Sequence, residues 1–121
     1  WASLKGHVDV AKLLLDERER NINVADNEGR TALIWVSLKG YVDVAKLLLD
    51  EGANIHATDN ESCTALIWAS AEGHAEVVKL LLKRKARIDM VDNNGQTALS
   101  IATEEEHKEI IKLLVDHDKG V

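Results

Sequence analysis

The chain contains no proline and no phenylalanine, and only one cysteine, one methionine and one tyrosine among 121 residues. Without proline no helix is ended by a ring, so glycine and the Asn/Asp residues must supply the breaks. The single cysteine, Cys63, excludes an internal disulfide and fits a reducing compartment. Long hydrophobic runs are missing as well. Pieces such as "ALIW" and "KLLL" fall far short of the ~20 apolar residues of a membrane span. Positive charge is in deficit, with 15 Lys and Arg against 21 Asp and Glu and a formal net charge of −6. General nucleic-acid binding wants a basic face and is disfavoured on that ground. No secretory signal, nucleophile motif, phosphate-binding glycine loop or HExxH pairing is present, so the expectation is neither an enzyme nor a cofactor protein.

What is present is repetition. "WASLKGHVDVAKLLLDE" opens the chain at Trp1, and "WVSLKGYVDVAKLLLDE" follows at Trp35, differing only at Ala2/Val36 and His7/Tyr41. Thr31, Thr64 and Thr97 stand 33 apart, as do Leu33, Leu66 and Leu99, and Asp26, Asp59 and Asp92. Gly6, Gly40 and Gly73 form another column, followed by His7, Tyr41 and His74. The spacing divides a single domain over 1–121 into a partial unit at 1–25, full units at 26–58 and 59–91, and a last unit at 92–121. In that last unit Glu106 replaces the column glycine and the sequence is more polar, as a terminal cap with a wet outer face requires. The first unit lacks its turn and the start of its first helix. The expectation is a fragment of a longer array, or an N-terminal edge that self-associates.

Within a unit the apolar spacing predicts two short helices, "TALIWVSLK" and "VDVAKLLLDE", separated by Gly40. Gly52 follows as a left-handed stop, and "DNEG" before Thr31 reads as a turn. A helix of about ten residues is marginal alone, so each pair must bury its apolar faces against its neighbours. Ser62 replaces the turn glycine of the third unit, so Ser62→Gly is expected to stabilise, and Lys85 replaces the stop glycine.

"DNEGRTALIWVSLKGYVDVAKLLLDEGANIHAT" resembles the ankyrin-repeat family, whose pattern is D-x-x-G-x-T-P-L-H-x-A-A-x-x-G-H followed by "VVKLLLxxGA". The resemblance runs the length of the chain. It departs at "TPLH", written here "TALI" twice and "TALS" once, without the proline or the histidine that braces the threonine. The fold implied is an all-α solenoid of stacked helix-turn-helix units joined by β-turn or hairpin-like loops. The activity implied is a non-catalytic protein-interaction module, intracellular and cytoplasmic rather than nuclear, with another protein as partner and neither nucleic acid nor membrane. The alternative is a targeting or regulatory segment of a larger enzyme, channel or secreted effector.

The family binds through turn tips and the exposed edge of each first helix. Matching columns place partner contacts at Leu4 and Lys5; Asn27, Glu28, Arg30, Leu38 and Lys39; Asn60, Glu61, Cys63, Ala71 and Glu72; and Asn93, Asn94, Gln96, Glu104 and Glu105. Lys5, Arg30 and Lys39 make the early half positive, whereas Glu61, Glu72, Glu104 and Glu105 make the late half negative. A partner acidic opposite the early units and basic opposite the late ones is expected.

Other residues have plainer readings. Trp35 and Trp68 are expected as core wedges, each burying ~150–250 Å². The column histidines His7, His74 and His107 are too far apart to share a metal, and in the family this histidine bonds locally at the start of the second helix. His56 and His117 are expected to be solvated. Cys63 is expected as an exposed, ordinary thiol. "KRKAR" at 83–87 suggests an import signal or a phosphate patch, or simply cations favoured at a helix end.

Overall fold

The computed structural model describes residues 25–118. Leu4, Lys5, His7 and the rest of the partial first unit up to residue 24 lie outside them. Six helices follow one another: α1 (Ala32–Lys39), α2 (Val42–Asp50), α3 (Ala65–Glu72), α4 (Ala75–Lys83), α5 (Ala98–Glu104) and α6 (Lys108–Asp118). There is no strand among the described residues. First helices α1, α3 and α5 stack in one row and second helices α2, α4 and α6 in another.

Threonine starts each first helix. Thr31, Thr64 and Thr97 hold extended backbone, and their Oγ1 atoms accept the N–H of Ile34, Ile67 and Ser100 at 3.3, 3.2 and 3.1 Å. Each cap satisfies an otherwise orphaned donor and contributes about 1 kcal/mol. Thr97 also donates its own N–H to Ser100 Oγ at 2.9 Å, closing a reciprocal box. The threonine therefore has a partner without the family's histidine. Gly40 and Gly73 end α1 and α3 at φ 80°, and Glu106 takes the corresponding turn at φ 60°.

The core repeats with the sequence. Leu33, Ile34, Val44 and Leu48 of one pair are buried, as are Leu66, Ile67, Val77, Val78 and Leu81 of the next, and Ile110 and Leu114 of α6. Each such side chain contributes ~1.5–3 kcal/mol by leaving water. None of these helices could keep that face dry alone.

The Gly-His column is a joint between units rather than a local bond, which corrects the family expectation. His74 Nε2 donates to Leu38 O at 2.9 Å, and His107 Nε2 to Ala71 O at 3.1 Å. Those carbonyls lie in the last turn of α1 and α3, where no intrahelical donor remains. Glycine leaves room for the imidazole: a Cβ at Gly40 would meet His74 Nδ1 at 2.6 Å. Along the second-helix row, Arg84 pairs with Asp50 and Lys79 with Glu109, both across units. Such exposed pairs are worth about 0–1 kcal/mol each.

Candidate partner-binding face

Each turn is organised by one aspartate. Asp26 Oδ1 accepts the N–H of Glu28 and Arg30 at 2.9 and 3.0 Å. Asp59 Oδ1 does the same for Glu61 and Cys63, both at 2.9 Å, and Asp92 Oδ1 for Asn94 and Gln96 at 2.8 and 3.0 Å. The short side chain of Asp reaches its own backbone two residues on, which is why this residue type opens the turn.

The turns then lock to one another. Asn60 N donates to Glu28 O at 3.0 Å and its Nδ2 to Asn27 O at 3.1 Å. Asn93 repeats both bonds to Glu61 O and Asn60 O at 3.0 and 3.3 Å. The side-chain amides of Asn60 and Asn93, two of the expected contact residues, are thus engaged between units.

The tryptophans correct a sequence expectation. Trp35 and Trp68 are half-buried beside the turns rather than fully wedged in the core, although Trp68 packs against it. Their indole Nε1 atoms donate to Asp26 Oδ2 at 2.7 Å and Asp59 Oδ2 at 2.8 Å. Between them lies the Arg30 guanidinium, 5.1 Å from one ring centroid and 4.9 Å from the other. The indole N–H needs a polar partner, and the turn carboxylate nine residues upstream supplies it; a core position would have left it unpaired. The nine-residue Asp–Trp spacing, seen twice in the sequence, is the signal that reveals this ladder. In the last unit the corresponding residue is Ile101, so Asp92 receives no indole.

Arg30 also pairs with Glu28 at 3.1 Å and approaches the buried Asp59 carboxylate at 3.7 Å. Lys39 lies over Trp35, 5.8 Å from its centroid. The indole hydrogen bond is the largest influence holding the Asp26 carboxyl below its usual range.

Cys63 is a second correction. It is 7% exposed, so it is buried rather than the exposed surface thiol expected. Burial, reinforced by the Asp59, Asp92 and Glu61 charges, pushes the thiol up to about 12. Asp59, Glu61 and Cys63 bring ligand-type atoms within 4.8 Å of one another. However, both Asp59 oxygens are held by turn N–H groups, the indole and Arg30, and such a thiol resists becoming the thiolate a metal needs. The cluster holds a turn. His56 departs from expectation too, because its Nε2 is buried, with no partner among the described residues, rather than solvated.

The remaining expected residues divide simply. Asn27, Glu28, Lys39, Asn60, Glu61, Glu72, Asn93, Asn94, Glu104 and Glu105 are exposed, whereas Arg30, Leu38, Ala71 and Gln96 are half-buried. Glu61, Glu72, Glu104 and Glu105 have no cationic partner among the described residues. Gln96 Nε2 reaches Glu104 Oε1 at 3.5 Å. No described helix is long and apolar enough to cross a membrane.

Comparison with known proteins agrees with this architecture. A family model for ankyrin repeats in three copies matches residues 1–59 and 52–121. A stretch of 33 residues is 58% identical to human 2-5A-dependent ribonuclease, covering 27% of this chain and 4% of that protein. Threonine-capped helix pairs, carboxylate-centred turns and a family match along the whole sequence lead to one conclusion: the chain belongs to the ankyrin-repeat family.

Proposed function

We propose that this chain is a protein-interaction module that binds an extended partner segment across its turns and first-helix edges. Ankyrin repeats are generally protein-interaction modules, and their domains are generally non-catalytic. The observation that carries the proposal is the polarity of this face. Arg30 and Lys39 stand at its early end, while four carboxylates without a cationic partner among the described residues, Glu61, Glu72, Glu104 and Glu105, occupy the late end. Leu38 and Ala71, both half-buried, supply an apolar step between them. A partner that is acidic opposite Lys39 and basic opposite the glutamates is steered into register by that field.

Affinity capture with the native chain and a Leu38→Glu, Lys39→Glu variant tests the reading, with circular dichroism establishing that both are folded. Loss of a partner from the variant alone supports this face, and its association rate should fall as salt rises. A partner retained by both proteins moves the site elsewhere.

A second reading is a targeting or regulatory segment of a larger enzyme, channel or secreted effector. The stretch shared with the ribonuclease, a small part of that protein, favours it.

A further inference from the structure

The second helices end differently from one another. At the end of α2 the chain reads Asp50, Glu51, Gly52 and Asn54; at the end of α4 the same columns hold Lys83, Arg84, Lys85 and Arg87. A helix C-terminus favours cations through its dipole, but α2 ends on acids and folds in the same way. Architecture therefore does not demand the basic corner. Lys85 even adopts φ 72°, a left-handed backbone taken by Gly52 at φ 97° in the preceding unit. The α4 carbonyls of Leu80, Leu81 and Leu82 already accept the N–H groups of Arg84, Lys85 and Ala86, so the lysine ammonium groups are not needed as caps.

Lys83, Lys85 and Arg87 border a cavity, whereas Arg84 is engaged with Asp50. An open hollow of about 510 Å³ lies between the ends of α4 and α6. Leu82, Ala86 and Ile88 provide apolar lining, with Lys83, Lys85, Arg87 and His117 as its basic groups and Asp89 and Asp118 as its acids. Arg87 binds Asp89 through two hydrogen bonds of 3.1 Å, which neutralises that acid within the wall. Lys83 and Lys85 are exposed and pair with no carboxylate among the described residues. The arrangement offers two ammonium groups, without a carboxylate partner among the described residues, beside half-buried Ile88 and over a floor of Leu82 and Ala86, in a protein whose net charge is −6.

We propose that this cavity binds a soluble phosphomonoester carried on a small apolar body. Lys83 and Lys85 take the phosphate oxygens, while Ile88 covers the body over the floor formed by Leu82 and Ala86. A phosphate matches paired ammonium groups as a compact anion, and an apolar body gains by displacing water from the lining. The site shares no residue with the proposed partner-binding face, so the two readings stand or fall separately.

Titration of the whole chain with phenyl phosphate, followed by NMR, tests the site. Saturable shifts are expected in the amides of residues 83–89 and in the His117 ring. Phenyl phosphate should bind about tenfold more tightly than inorganic phosphate. A Lys83→Glu, Lys85→Gly variant should weaken it by about tenfold or more while keeping its helical circular dichroism. Lys85→Gly alone suits the local backbone, so it serves as a folded control with intermediate affinity. The proposal is overturned by an absence of saturable shifts, by equal affinity for phenyl and inorganic phosphate, or by undiminished binding in the folded variants. Binding confined to phosphatidylcholine vesicles carrying phosphatidic acid would likewise overturn it in favour of a lipid surface.

Discussion

Arg30 of one turn lies over Trp68 of the following unit, its guanidinium carbon 4.9 Å from the ring centroid. The contact crosses the unit boundary and brings the cation 3.7 Å from Asp59, whose side chain is 1% exposed. Cation–π contact, a buried carboxylate and the indole hydrogen bond thus converge at one joint. Contacts of the first kind contribute ~0.5–2 kcal/mol, according to how far they are desolvated.

Trp68→Phe keeps an aromatic face, though a smaller one, and removes the N–H that Asp59 Oδ2 accepts. Leaving a buried acceptor short of its donor costs about 1–3 kcal/mol. The expected result is a lower urea midpoint without change of fold. Trp35→Phe should cost less, because its acceptor Asp26 is exposed and water can replace the donor. Equal losses in the two variants would count against the ladder as an energetic unit.

Ser37 and Ser70 are fully buried, and their Oγ atoms have no hydrogen-bond partner among the described residues. Burying an unpaired hydroxyl costs about 1–3 kcal/mol on mutational scales. Ser70→Ala removes it with little change of volume and should raise the melting temperature. A lowered value would mean that the hydroxyl bonds to something the fold conceals.

Two left-handed non-glycine positions should respond differently to glycine. Glu106, at φ 60°, is exposed, so Glu106→Gly is expected to stabilise by about 1 kcal/mol. Ser62, at φ 65°, also donates its hydroxyl to Asn93 Oδ1 at 2.7 Å. Relief of strain there is offset by that lost bond, typically ~1 kcal/mol. Ser62→Gly is accordingly expected near neutrality, less favourable than its turn position alone suggested. Denaturant midpoints of the two variants measure the contrast.

Acid should weaken the fold in a defined window. Asp26, Asp50 and Asp89 are held below the ordinary 3.8, chiefly by hydrogen bonds from Trp35, Arg84 and Arg87 respectively. Between the folded and ordinary values the unfolded chain binds more protons, so stability rises with pH. Their contribution is complete above the ordinary value and is lost as pH falls through the lower folded values, in the range below about pH 4. Urea midpoints measured from pH 7 downward should drop there, and Trp35→Phe should flatten the part due to Asp26.

Periodicity alone determined the helices, their stacking and the core, because a helix of eight or nine residues such as α1 or α2 cannot stand without neighbours. The turn aspartates, the turn and helix-end glycines and their three substitutes at Ser62, Lys85 and Glu106 were equally legible, since each is a local backbone requirement. Contacts between units were not. The reach of His74 to Leu38 spans 36 residues, and the approach of Arg30 to Trp68 depends on how neighbouring turns pack. Burial decided the rest: the column holding Arg30 and Cys63 runs between turns and tryptophans. There a long cation can lie between aromatic faces, while a short thiol simply disappears inward. Tertiary structure alone distinguished those outcomes, because spacing places a residue on a face but does not say what its neighbour leaves uncovered.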